Sequence, residues 1–467
     1  MNLRSLIVLS LLALSVGASE EKPLPSDLPP YGPDRPIPIP RITQKTLSNG
    51  LTIWLVQREG FPKVTLRLAI RGGMAHDPAG QAGVSNLFAG LLTEGTSSRT
   101  SKRIAEELQT VGGEIGAFAS SDATYLYVRG LGQGLPLILD VLADVTQNAA
   151  FPEKEVTQAK ANALQGLKAQ STNPGFQANK AFAAQIFGTH PYGRVTPTEA
   201  VIDSVTPTSL KQLRDRRFHP DRALLVVAGD FREEAAFKLI NKAFGTWKAS
   251  GLPEGALDAA PQSGHREILL LERPGSVQAT LRIGRPSLPA ASHEAIPLAL
   301  ANVIMGGSIG SRITRNIRED KGYTYSPGST VQGRQVGGMF QFRADVRNEV
   351  TAASLMEIFY EMDRMATTPV PEPELQRAKR YVGGIYLFQN QLQSAVTGTL
   401  ATYWVNGLPP EFLGTYVEKI DAVRTEEVRA VSEKFFNPKD LTVVVVGDST
   451  KIRKELEHFG SVKDIKP

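Results

Sequence analysis

The feature that most constrains this chain is an internal repeat. Phe218-His219-Pro220-Asp221-Arg222 runs into ALLVVAGD, and Phe436-Asn437-Pro438-Lys439-Asp440 runs into LTVVVVGD, at an offset of 218 residues. The same offset relates Asp203 and Val205 to Asp421 and Val423. In both copies a helical segment (Leu210 onward, Val428 onward) meets an X-Pro turn, then a continuous apolar run that stops at Gly-Asp. The copies also begin alike. Leu51 to Val56 and Val64 to Ile70 read as strands before a Gly-rich turn and a helix from about Val84, and Ile268 to Leu271 and Val277 to Ile283 precede a helix from about Glu294. A repeat this long, mixing strands and helices, predicts an α+β fold of two homologous lobes of about 200 residues each, every lobe a mostly antiparallel sheet packed with helices. Residues 249–265 (ASGLPEGALDAAPQSGH) have the composition of a linker between a first lobe at 44–248 and a second at 266–467. Sites form where domains face one another, so the cleft between the lobes is the place to look for function.

Two compositional facts remove whole classes of chemistry. The chain has no Cys, which excludes disulfides, thiolate metal sites and thiol catalysis. Lys and Arg (52) exceed Asp and Glu (47) by only 5 across 467 residues, a mixed surface rather than a nucleic-acid footprint.

The N-terminus predicts export. Arg4 precedes the apolar stretch LIVLSLLALSV and the small residues Gly17 and Ala18, the pattern of a signal peptide spanning 1–18, with a buried or amphipathic helix as the other way to use such a stretch. It is short for a membrane span and nothing later is longer, so after cleavage the chain has no membrane span and belongs in a secreted, periplasmic location. Residues 19–43 carry eight prolines, from Pro23 to Pro40, and read as an extended tail.

With this organisation in place, four stretches in order resemble the M16 (pitrilysin, mitochondrial processing peptidase) family. They are the helix at Gly83 to Thr96, its flanks Arg71-Gly72-Gly73 and Ser98-Arg99-Thr100, the Gly112 to Phe118 hairpin entry leading to Thr124-Tyr125, and Asn302 to Ser326, all set within the duplicated architecture. The resemblance implies a zinc site written H-x-x-E-H on the first of these helices, with a second Glu on a later one: two His at i and i+4 close on one metal and the Glu activates its water. The corresponding positions here are Asn86, Ala89 and Gly90, and from Val156 to Thr198 there is no Asp or Glu, with Gln165 and Gly166 about where the distal ligand belongs. The six histidines, His76, His190, His219, His265, His293 and His458, include no two within a helical turn, and His219 reads as structural because its repeat partner is Asn437. No metal is therefore expected in this chain, and any zinc would reside in a partner subunit.

The second lobe keeps what the first has lost. Its Gly306-Gly307-Ser308 stretch lacks the Lys-Ser/Thr of a phosphate loop and reads as a helix-terminating turn. Arg318 and Tyr325 match the Arg and Tyr that in the family reach the substrate across the cleft, with Tyr323 in place of an apolar residue. By residue type alone, Arg318 is a solvated helix-end cation and Tyr325 a half-buried strand residue. The resemblance instead gives the Tyr hydroxyl an oxyanion to stabilise and the Arg fork a substrate carbonyl to hold. It also makes Glu114, Ile115, Gly116, Ala117 and Phe118 the strand to which an extended peptide would add, although Gly116 stands where Asn is usual and Ala119 where Thr is usual. The resemblance thus implies a catalytically incomplete subunit, paired with a zinc-bearing M16 subunit as a heterodimer on peptide or unfolded-protein substrates. A non-proteolytic peptide-binding or structural scaffold of the same fold is the alternative.

Overall fold

The computed structural model describes residues 40–251 and 255–466. The signal peptide, nearly all of the Pro-rich tail and residues 252–254 of the linker lie outside the described residues. The strands are β1 (Ile42–Thr46), β2 (Thr52–Gln57), β3 (Lys63–Arg71), β4 (Glu114–Ala119), β5 (Ala123–Leu131) and β6 (Ala223–Gly229) in the first lobe. The second holds β7 (Glu267–Glu272), β8 (Gln278–Ser287), β9 (Gly328–Gly333), β10 (Gly338–Arg347), β11 (Thr442–Gly447) and β12 (Val462–Ile465). The first-lobe sequence carries helices α1 (Val84–Leu91), α2 (Ser101–Gln109), α3 (Leu135–Asn148), α4 (Glu153–Ser171), α5 (Pro174–Phe187), α6 (Glu199–Ser204), α7 (Pro207–Arg217) and α8 (Glu233–Phe244). The second carries α9 (Ala295–Met305), α10 (Thr351–Thr367), α11 (Glu372–Gln389), α12 (Gln393–Val405), α13 (Phe412–Asp421), α14 (Thr425–Phe435) and α15 (Ser449–Leu456). No helix among the described residues is long and apolar enough to cross a membrane.

The repeat is visible in the strand order. The sheets run β1-β2-β6-β3-β5-β4 and β12-β7-β11-β8-β10-β9, so five strands of each correspond one to one. Each sheet is mostly antiparallel, with β6 parallel to β2 and β11 parallel to β7. The sixth strands break the symmetry: β1 joins β2 antiparallel, while β12 joins β7 parallel. Ile42 pairs with Val56, so the first sheet begins inside the stretch assigned to the tail. The X-Pro turns before β6 and β11 are held locally, His219 Nδ1 lying 3.1 Å from Lys248 O and Asn437 Oδ1 accepting from Lys439 N at 3.1 Å. At the end of β6, Gly229 has φ 144° and a Cβ there would lie 2.2 Å from Lys63 O, which is why only Gly fits where the strand stops.

The apolar runs of β6 and β11 are continuous because both faces of each sheet are covered. Leu225 and Val227 of β6 join a core built within the first lobe, and Leu224, Val226 and Ala228 face the other way. That second face is not covered by first-lobe sequence. It packs against Val396, Leu400, Ala401 and Val405 of α12, a helix of the second copy. Reciprocally, Ala178, Phe182 and Ile186 of α5, a helix of the first copy, pack on Leu269, Leu271, Val444 and Val446 of the second sheet. The helices α5 and α12 are repeat partners, so each copy lends the same helix to the other. The lobes are therefore interlocked rather than two self-sufficient domains, each closing one of its two cores with borrowed side chains worth about 1.5–3 kcal/mol apiece when fully buried.

Candidate active site

The first half of the site is α1, which packs beside β4. Its start is fixed by a buried ion pair. Asp77 accepts from Gly83 N at 2.7 Å and from Ser85 Oγ, and Arg217 of α7 reaches Asp77 Oδ1 at 3.1 Å and Ser85 Oγ at 2.6 Å. Asp77, Ser85 and Arg217 are all buried, so α1 is pinned at its N-terminus from two sides. On this helix Asn86 and Gly90 occupy one exposed face at i and i+4, whereas Ala89 is buried. Asn86 Nδ2 lies 3.2 Å from Met74 Sδ. A Cβ built at Gly90 or at Gly166 of α4 would meet nothing within 4 Å. The helix geometry that would present a metal is kept, but Ala89 and Gly90 have no donor atom and Asn86 has only an amide. These residues do not fit a zinc ion. Past the end of α1, burial raises the Glu94 carboxyl above its ordinary value and the charge of Glu155 adds to the rise. Two carboxylates alone are no tetrahedral set, and no group of three or more His, Asp or Glu among the described residues could hold a metal.

The strand β4 forms the rim of the first sheet. Among the described residues it pairs with β5 only, from Glu114↔Arg129 to Ala119↔Thr124, and its other edge faces away from the sheet. The five residues Glu114, Ile115, Gly116, Ala117 and Phe118 thus form an edge strand, with Glu114 paired to Arg129 at 2.9 Å. The glycine at 116 has a physical reason: a Cβ there would lie 2.4 Å from the hydroxyl of Tyr127, which stretches across the strand. Phe118 stacks on Tyr125 with centroids 5.0 Å apart.

The second half is the segment after α9. Gly306 caps that helix, in agreement with the turn expected from the sequence, and residues Thr314–Asp320 wind as a π-helix, a local form often found at functional sites. Its inner side is held fast: Asn316 Nδ2 donates to Glu357 at 3.0 Å and to Glu361 at 3.1 Å, and Arg312 binds Glu374 through two contacts of 3.0 and 2.7 Å. Thr324 Oγ1 donates to Asp345 O at 2.7 Å, and Tyr323 packs on the core. The outer side is left free. Tyr325 is 81% exposed, outside any strand, and the Arg318 guanidinium lies 5.1 Å from its ring centroid. Arg318 has no carboxylate partner among the described residues. The structure thus brings Arg318 and Tyr325 together, and α1 and β4 together, while no hydrogen bond or ring contact among the described residues joins the two pairs.

A third feature lies where the lobes meet. The turn after β4 and the turn between β9 and β10 touch through Tyr192, whose hydroxyl donates to Asp122 Oδ1 at 2.6 Å and accepts from Val336 N at 3.3 Å, while Gln335 N donates to Asp122 Oδ2 at 3.2 Å. Burial, and then the Asp122 carboxylate, raise the Tyr192 phenol above its ordinary value. In the second lobe, Tyr386, Tyr403, Phe412 and Tyr416 line a cavity of about 650 Å³, and burial pushes Tyr386 up to about 12. Neither feature was anticipated from the sequence, because each depends on residues distant in the chain.

Comparison with known proteins agrees with this architecture. The family description "Insulinase (Peptidase family M16)" matches residues 53–197, and "Peptidase M16 inactive domain" matches residues 204–382, between them more than half of the chain. The "uncharacterized zinc protease YmxG" of Bacillus subtilis (strain 168) is 26% identical over 420 residues, covering 87% of this chain and 98% of the relative. An uncharacterized zinc protease of Mycobacterium leprae (strain TN) is 26% identical over 415 residues, covering 85% and 90%. Among solved structures, the peptidase M16 inactive domain from Pseudomonas fluorescens superposes with a TM-score of 0.82 at 22% identity over 87% of this chain and 98% of that one. A protease from Helicobacter pylori does so with a TM-score of 0.80 at 19% identity over 87% and 99%. Two homologous lobes in this strand order, with both family descriptions matched in sequence, mean that the chain belongs to the M16 peptidase family.

Proposed function

We propose that this chain is the non-catalytic half of an exported M16 peptidase pair, in which a zinc-bearing M16 partner supplies the metal and the general base, and this chain supplies Arg318 and Tyr325. The observation that carries the reading is the contrast between its two halves. The α1 face has no donor set, yet Arg318 and Tyr325 stand stacked on each other with no hydrogen-bond or carboxylate partner among the described residues, on a segment whose inner side is firmly bonded. An exposed Tyr hydroxyl can donate to the oxyanion that develops on a scissile carbonyl, and the guanidinium fork can hold backbone carbonyls of a bound peptide. The free edge of β4 would take that peptide, or an unfolded protein segment, as an added strand. The targeting pattern of residues 1–18 supports a secreted, periplasmic location for the pair.

The test is reconstitution with a zinc-bearing M16 subunit from the same organism. The complex should be isolable by size exclusion, and Tyr325→Phe should lower its kcat about 100- to 1,000-fold without changing assembly or zinc content. Arg318→Ala should act mainly by raising KM. Wild-type rates for both variants would overturn the composite site. A chain that stays monomeric beside every such subunit would leave the peptide-binding scaffold as the better account.

A further inference from the structure

Between its two ends the strand β3 carries one charge, Arg67, which lies directly across from Tyr127 of β5, itself across from Gly116 of β4. The three form one row, on the sheet face that α12 covers in part. The Arg67 guanidinium sits 5.2 Å from the Tyr127 ring centroid and 5.5 Å from that of Phe118. It makes no hydrogen bond and no ion pair with any described residue, and its Nε is sealed from solvent. Burial disfavours the charged form and lowers its pKa, only partly offset by Tyr125 and Tyr127. A half-buried guanidinium with its donors unused is costly to keep unless something binds it.

The space it faces is a cavity of about 300 Å³ between the lobes, with Phe118 and Ser120 on the first-lobe side and Arg334 and Thr402 on the second. The other charges there are already engaged. Asp122 is held by Tyr192 and Gln335 N, and Arg334 donates to Tyr192 O at 3.4 Å and to Gln332 Oε1 at 3.3 Å. With Asp122 set against Arg334, one positive charge is left over, which suits a monoanion. The volume, at the low end for a ligand site, has room for a side chain or a chain end. Phe118, the last residue but one of β4, forms part of the wall, so a strand added along β4 would bring one end of itself to this cavity.

We propose that this cavity is a subsite for a peptide carboxylate, with the Arg67 fork donating to the two carboxylate oxygens while the peptide backbone pairs along β4. The proposal rests on the peptide-binding reading above. The carboxylate could be an acidic side chain or a C-terminus, and the test separates the two.

Fluorescently labelled octapeptides of one extended, uncharged sequence carry either Glu or Gln at an internal position and either a free or an amidated C-terminus. Their Kd values for the full chain are measured by anisotropy. One carboxylate-bearing form should bind about 10-fold tighter than the Gln, amidated form, and which one does so identifies the source. Arg67→Gln should erase that preference and leave the uncharged peptide unaffected, while Arg67→Lys keeps part of it. Equal Kd values across the panel for the wild-type chain would overturn the subsite and leave the peptide-binding reading standing. A preference that survives Arg67→Gln would overturn it as well. Binding of none of the four peptides would remove the peptide-binding reading and the subsite with it. The wild-type panel decides the matter even if Arg67→Gln does not fold.

Discussion

Replacing Tyr192 by Phe tests how the two lobes are held together. The ring itself is well placed, edge-on to Phe187 at 5.8 Å and under the Arg334 guanidinium at 4.7 Å, so Phe preserves the packing and deletes one hydroxyl. That hydroxyl serves two groups at once, donating to the buried Asp122 at 2.6 Å and accepting from the half-buried Val336 N at 3.3 Å. A hydrogen bond to a charged group contributes about 1.5–3 kcal/mol, and an amide left without an acceptor adds about 1 kcal/mol or more. Asp122 keeps the Gln335 amide, which limits the loss, so the expected destabilisation is about 2–4 kcal/mol. Urea unfolding followed by tryptophan fluorescence reads it, since Trp54, Trp247 and Trp404 all lie in or against the first lobe. The curve should keep its slope and shift its midpoint. Pairing the variant with Asp122→Asn closes a double-mutant cycle, and the two changes should couple by at least about 0.5 kcal/mol. A loss under about 0.5 kcal/mol with no coupling would mean that water serves these groups as well as Tyr192 does, and that the lobes are not latched here.

Leu400→Ala removes a fully buried side chain of α12 from the first sheet and should cost about 2–5 kcal/mol. Hydrogen exchange should show the lost protection in β3 and β6 rather than in β8 and β10, although residue 400 belongs to the second copy. Arg217→Met leaves the buried Asp77 carboxylate without its cation and should destabilise by about 3–5 kcal/mol, read as a fall in urea midpoint. Burial pushes Tyr386 up to about 12, so the folded state keeps that proton when the unfolded chain, titrating near 10, has lost it. Stability should therefore be unaffected below pH 10 and fall as the pH rises from about 10 toward 12, and Tyr386→Phe should flatten that fall in a Tm-versus-pH series.

Much of the fold was legible because its information is local and repeated. The continuous runs of β6 and β11 announce strands covered on both faces, and the offset of 218 places the same strand and turn twice. What could not be read was which helix covers which face. The sequence of α12 carries no charge and no single apolar stripe, which says that it packs but not against what. The lost metal positions were legible from residue chemistry alone, since Ala89 and Gly90 carry no donor in any fold. The pairing of Arg318 with Tyr325 needed the π-helical turn of Thr314–Asp320, which no hydrophobic period signals. Arg67 did leave a trace, the one charged residue in VTLRLAI, but its lack of a hydrogen-bond partner among the described residues is a property of the assembled face.

The reciprocal loan of helices also sets a timetable. The ribosome completes β6 at Gly229, yet α12, which covers that sheet, begins at Gln393, about 160 residues later. At roughly 5–20 residues per second the apolar face of Trp54, Val56, Leu224 and Val226 waits on the order of 10 to 30 s for its cover. The wait of α5 is longer, since β11, on which it packs, is finished only at Gly447. Neither half can close while it is being made, and the nascent chain carries two greasy surfaces until its last hundred residues appear. Its yield in a cell is therefore governed less by final stability than by whatever holdase shields those surfaces in the interval.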